Sequence, residues 1–138
     1  MPTVTRYFVR TGLVCLLLAL AAGILLATGV APTLPGTAVV LPFPTYLHLL
    51  TVGWLTNLIF GVALWLFPRH TAEQPRGSDA LGWAAYAALN GGLLLRLLGE
   101  PLLLSDGRGA SLLLASAGLQ LLGAWAFVAN IWPRVKAR

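Results

Sequence analysis

Charge is what this sequence has least of. Nine Lys/Arg and four Asp/Glu make up 9% of its 138 residues, against roughly 25% in an ordinary soluble domain. A soluble fold of this size must cover its surface with polar side chains, and so few charges cannot do that. Cysteine is nearly absent: Cys15 stands alone, which excludes an intramolecular disulfide and a cysteine-based zinc cluster. Histidine is limited to His48 and His70. There is no HExxH and no Ser/His/Asp arrangement, and Asn90-Gly91-Gly92 is no phosphate loop, because no Lys-Ser/Thr follows it. No stretch alternates polar and apolar residues with a period of two, as the strands of a membrane barrel do. The low hydrophobicity of a disordered chain is lacking as well.

What is there is apolar. Hydrophobic residues make up 58% of the chain, and the mean hydropathy is +0.83. The length fits one domain. Four apolar runs, at about 9–28, 45–67, 80–104 and 110–132, each approach the ~20 residues a helix needs to cross a bilayer. Backbone polar groups cannot be left unpaired in lipid, so all four are expected to be α-helices. The first run is too long and uniformly apolar for a secretory signal. The expectation is an all-α integral membrane four-helix bundle in a single domain, residues 1–138.

The connections agree. Residues 30–44 carry Pro32, Pro35, Pro42, Pro44 and Gly36 without a charge, an extended loop. Residues 68–79 hold Pro68, Arg69, His70, Glu73, Arg76 and Asp79, with Ser78 or Asp79 placed to cap the third helix. Ser105 to Gly109 form a short third connection. Arg6, Arg10, Arg69, Arg76, Arg134, Lys136 and Arg138 fall on one side, and Arg108 alone lies in a loop on the other. The positive-inside rule then makes both termini cytoplasmic, in a multi-pass protein of a bacterial-type inner membrane. Trp83 and Trp132 lie near helix ends, as an aromatic belt places them. The net charge of +5 therefore reads as topology, and no nucleic-acid partner is expected.

Polar residues inside the spans carry the functional information, because each costs free energy in lipid. They are His48, Asn57, Asn90, Arg96, Glu100, Gln120 and Asn130. His48 sits about one turn from the outer end of the second helix, and Arg96 and Glu100 in the outer third of the third. Three ionisable groups thus converge at one depth. Arg96 and Glu100 are spaced i, i+4 and can pair. One reading is a neutralising salt bridge; another is that Arg96 meets a buried anion such as a heme propionate, with Glu100 beside it. His48 has three readings: an interhelical hydrogen bond, a proton relay, or ligation of a metal or heme iron. His70 reads as a solvated loop residue. Gly53, Asn57 and Gly61 recur every four residues on the face opposite His48, a seam for close helix approach. That would leave the His48 face free to point into a pore or an oligomer interface. Ser116, Gly123 and Asn130, with Gln120 nearby, read as a second seam.

The segment from His48 to Arg69, with Gly53, Gly61, Trp65 and Pro68, resembles the second helix of the catalytic subunit of heme-copper oxidases, above all its nitric oxide reductase branch. In that family a histidine here is an axial ligand of the low-spin heme, and by match it falls on His48. The family subunit has three pseudo-symmetric arcs of four helices, and this chain is similar to one arc. The resemblance implies heme b as cofactor, held by His48, and a homotrimer that rebuilds the twelve-helix ring. Its further heme and copper histidines are missing here, so a complete oxidase or reductase is not expected. Electron transfer or binding of a diatomic gas such as NO or O2 is. The propionate role of Arg96 and Glu100 rests on depth and charge, not on the matched segment. The alternative is a cofactor-free structural or accessory protein of a respiratory or transport complex, with His48, Arg96 and Glu100 as one polar network. A proton or ion path through His48 and Glu100 is a third, thinner reading.

Overall fold

A computed structural model describes residues 1–29, 42–67, 77–107 and 109–135. Among them there is no strand. Helix α1 spans Thr3–Ala27, α2 Phe43–Leu66, α3 Asp79–Asp106 and α4 Ala110–Ile131, followed by a single 3-10 turn, Trp132–Arg134. All four are long and apolar enough to cross a membrane.

The boundaries follow local chemistry. Pro2 precedes α1, and nothing between Thr3 and Val9 breaks a helix, so α1 begins earlier than the apolar run does. Arg6 and Arg10 therefore ride on its exposed side, where their long stems carry the charge outward. The Ser78 hydroxyl accepts the Leu81 amide at 3.3 Å and caps α3, as expected. At the far end α3 runs on to Asp106, and Gly107, at φ 75°, closes it in the left-handed conformation that glycine adopts freely.

The bundle is largely apolar outside, and its interior mixes apolar with polar side chains. Leu114 is 77% exposed and Trp125 69%, whereas Asn57, Thr45 and Ser116 are fully buried. That arrangement suits a lipid surround, where exposed leucine costs nothing and polar groups must find partners within the protein.

The helices pack as two antiparallel pairs, α1 with α2 and α3 with α4, laid side by side. Small residues set the approach within each pair. A Cβ on Gly61 would lie 2.8 Å from the Phe8 Cβ, and one on Gly53 2.9 Å from the Cys15 Cβ. Gly92 and Gly123 do the same between α3 and α4, against Ser116 and Gln120 in one case and Leu89 in the other. Both expected seams are present: Gly53, Asn57 and Gly61 are buried in α2, and Ser116, Gly123 and Asn130 in α4. Between the pairs, Phe8 meets Tyr86 edge-on at 5.1 Å, Phe60 stacks on Phe127 at 3.7 Å, and the Thr11 hydroxyl pairs with the Tyr86 hydroxyl at 2.7 Å.

Thr3 and Arg134 lie at one end of the bundle. There Asn130 brackets Ser78, accepting its amide at 3.0 Å and donating to its carbonyl at 2.9 Å. Counted among the basic residues of one side, Arg134 is also fully buried, donating to the Leu64 carbonyl at 3.2 Å and the Phe67 carbonyl at 2.7 Å. The last carbonyls of α2 have no intrahelical donor, and Arg134 supplies one. Arg69, His70, Glu73, Arg76, Arg108, Lys136 and Arg138 lie outside the described residues, as does most of the proline-rich loop.

Helix α2 is not α-helical throughout. Phe43–His48 and Asn57–Leu66 are α-helix, and Leu49–Thr56 between them is π-helix. This corrects the expected placing of His48 opposite the Gly53, Asn57, Gly61 seam on a free face. The wider turns bring the N-terminal part of α2 round, so that Thr45 and His48 meet α3 of the same chain.

Candidate functional site

The end of the α2–α3 contact nearest Pro42 and Gly107 holds the one cluster of ionisable side chains among the described residues. Pro42 leads into α2 and Pro44 occupies its first turn, where a missing amide hydrogen costs nothing. The Pro44 carbonyl lies 2.8 Å from His48 Nδ1. A carbonyl can only accept, so Nδ1 carries the hydrogen and donates it. Neutral His48 then has its lone pair on Nε2.

Glu100 is the hub. It is 6% exposed. Its Oε2 accepts from the Thr45 hydroxyl. Its Oε1 accepts from Arg96 Nη1 at 3.0 Å and lies 3.5 Å from His48 Nδ1. Three side chains, Thr45 and His48 from α2 and Arg96 from α3, thus meet on one carboxylate. The i, i+4 spacing brings Arg96 and Glu100 to one face, as expected, and the spacing of three sets Thr45 beside His48. Arg96 Nε is buried without a partner among the described residues. His48 and Arg96 remain partly open, with 28% and 20% of their side chains exposed, while Glu100 is closed off at 8%. Directly after Glu100, Pro101 lies within α3 and removes the amide that the Leu97 carbonyl would otherwise receive.

All three expected site residues, His48, Arg96 and Glu100, are therefore brought together. Thr45 joins them without having been singled out. Its signal was present: a hydroxyl at the depth of Glu100, three residues from His48. The Pro44 carbonyl carried no such signal, because backbone acceptors are invisible in residue patterns.

A second polar contact lies deeper. Asn57 Nδ2 donates to the Val52 and Gly53 carbonyls at 3.0 and 2.9 Å and to Asn90 Oδ1 at 3.1 Å. Asn90 Nδ2 donates back to Asn57 Oδ1 at 3.0 Å and to the Tyr86 carbonyl at 3.0 Å. This reciprocal amide pair satisfies both side chains inside the bundle. Between α3 and α4, Ser116 Oγ donates to the Gly92 carbonyl at 2.7 Å and accepts from Gln120 Nε2 at 3.1 Å. An open apolar groove of about 410 Å³ runs along the other half of α2, lined by Leu58, Ile59, Val62, Ala63, Leu66 and Phe67. It includes none of the four clustered residues.

No group of three or more His, Cys, Asp or Glu side chains suited to a metal ion occurs among the described residues. His48 alone would have to serve an iron whose other ligands come from elsewhere. Comparison with known protein families, with characterised proteins and with solved structures finds no match. Nothing in these comparisons links the chain to the heme-copper oxidase subunit.

Proposed function

We propose that this chain is an integral membrane protein that binds a b-type heme through His48, for electron transfer or for capture of a diatomic gas. One observation carries the reading: His48 Nδ1 donates to the Pro44 carbonyl at 2.8 Å, so that the neutral ring keeps its lone pair on Nε2, on a side chain that is 28% exposed. Metal-ligating histidines are held in this way, with the non-ligating ring nitrogen tied to a carbonyl or carboxylate. The residues present fit the group in part. His48 offers one axial ligand. Arg96, with Nε unspent, offers a cation for a propionate. Glu100 is committed to Thr45 and Arg96, so its role is to hold those side chains rather than to touch the group. A bound heme would supply one-electron chemistry or an open iron position. The apolar exterior and the cationic end bearing Arg6 and Arg10 support a bilayer location with both termini cytoplasmic. A homotrimer rebuilding a twelve-helix ring is part of the same proposal.

The test is a visible spectrum of protein purified in detergent from cells supplied with heme. A Soret band that is lost in His48→Ala is the expected result. A colourless wild type overturns the reading.

A second reading is favoured by the capture of both Glu100 oxygens within the chain. In it the cluster is a cofactor-free lock between α2 and α3 in an accessory protein of a larger membrane complex. His48→Ala would then lower stability with no change in absorbance.

A further inference from the structure

Five buried residues of α2, Thr45, Leu49, Gly53, Asn57 and Gly61, follow one another at a step of four, with Leu64 buried after them. A regular α-helix turns about 100° per residue, so a step of four drifts by roughly 40°, and the twelve residues from Thr45 to Asn57 by roughly 120°. Such a stripe would wrap away from α3 before reaching Glu100. In the structure it does not: Asn57 meets Asn90 and Thr45 meets Glu100 on the same neighbouring helix. The π-helix Leu49–Thr56 accounts for the difference. Its i to i+5 turns absorb about one extra residue, or roughly 100° of rotation, and reduce the drift to roughly 20°.

Side chains hold these wide turns. The Asn57 amide reaches back five residues to the Val52 carbonyl, and the Thr56 hydroxyl five residues to the Thr51 carbonyl, each at 3.0 Å. Both reaches match the π repeat. Asn57 is in turn anchored across the helix contact by Asn90.

We infer that the π-helical stretch is a one-residue insertion that aims Thr45 and His48 at Glu100, and that Asn57 is the positioning residue that clamps it. In calling His48 the group being positioned, this rests on the proposed role of His48. The aiming itself is read without heme.

The sequence makes the test selective, because it has two histidines and two glutamates, His48 and His70, Glu73 and Glu100. In a full-length chain carrying His70→Gln and Glu73→Gln, with 15N-histidine and 13C-glutamate labels, the only such pair is His48 and Glu100. Magic-angle-spinning NMR in bilayers then reads their through-space contact directly. Deletion of Thr51, an exposed residue whose hydroxyl bonds to the Leu47 carbonyl and whose carbonyl receives the Thr56 hydroxyl, removes the extra residue and one of the two side-chain reaches with it. The contact is expected to survive, because an ordinary α-helix now keeps the stripe in line. Insertion of an alanine after Thr51 is expected to abolish it. Asn57→Leu is expected to lose the contact in the parent chain and to keep it in the Thr51-deleted chain, where no wide turn needs a clamp. A Thr51 deletion that fails to fold or loses the contact overturns the insertion argument. Equal loss from Asn57→Leu in both backgrounds overturns the positioning role. A colourless protein that passes these tests would end the heme reading and leave this one standing.

Discussion

Removing the Glu100 carboxylate while keeping its bulk, as Glu100→Leu, takes away the acceptor shared by Thr45 and Arg96 and the neighbour of His48. Breaking one partner of a buried ion pair costs about 3–5 kcal/mol, mostly for the charge left behind. Arg96 keeps 20% of its side chain exposed and can carry its charge toward the bundle end, so about half of that applies, or roughly 2 kcal/mol. Loss of the Thr45 bond adds about 0.6 kcal/mol, the average for a polar contact inside a membrane bundle. The sum, near 3 kcal/mol, is about a hundredfold in the unfolding equilibrium. The double variant Arg96→Leu/Glu100→Leu removes both charges together and is expected within about 1 kcal/mol of wild type. Arg96→Leu strands the buried Glu100 carboxylate in its turn, so the two single losses together exceed the double by at least about 2 kcal/mol. Reversible unfolding in bicelles, followed by circular dichroism, measures all four members of the cycle. A Glu100→Leu chain as stable as wild type would refute the reasoning. So would a double variant whose loss equals the sum of the singles, because the cluster would then hold no net interaction.

Three further results are expected. Gly61→Leu drives a side chain against the Phe8 Cβ, 2.8 Å from the nearest possible Cβ, and the Thr5 carbonyl at 3.3 Å; the same unfolding assay should show a loss of about 1–3 kcal/mol. Gly118→Ala, where no atom lies within 4 Å, should stay within about 0.5 kcal/mol of wild type. Arg134→Met keeps the aliphatic stem but strands the Leu64 and Phe67 carbonyls, for about 1–3 kcal/mol. Hydrogen exchange should quicken in the last turn of α2, including the Phe67 amide on Ala63, and unchanged exchange there would dismiss the cap.

The number and order of the helices were legible because apolar runs of membrane length have few other uses. The convergence of His48, Arg96 and Glu100 was legible from depth, since antiparallel helices place residues of equal depth side by side. The face of His48 was not. Counting at 100° per residue set it opposite Gly53 and Asn57, and a π-helix leaves no mark in composition or apolar spacing. Its one trace was the strict step of four through Thr45, Leu49, Gly53, Asn57 and Gly61, which fits a regular α-helix poorly. The burial of Arg134 was not legible for a related reason. A basic residue after the last span fits the charge rule, and nothing local reveals that the chain turns it back onto the α2 carbonyls.

The two kinds of contact in this bundle divide the labour of assembly. Within each helix pair the interface is close packing around Gly53, Gly61, Gly92, Gly99 and Gly123, which needs no other pair to form. Between the pairs the Phe8–Tyr86 and Phe60–Phe127 ring contacts are joined by Thr11–Tyr86, Asn57–Asn90 and Thr45–Glu100, three directional hydrogen bonds for which hydrocarbon offers no substitute. A pair docked in the wrong register would strand Asn57, Asn90 and Glu100 in lipid at once. The polar groups buried between the pairs therefore act as a check on pairing, tolerating one docking and penalising the others.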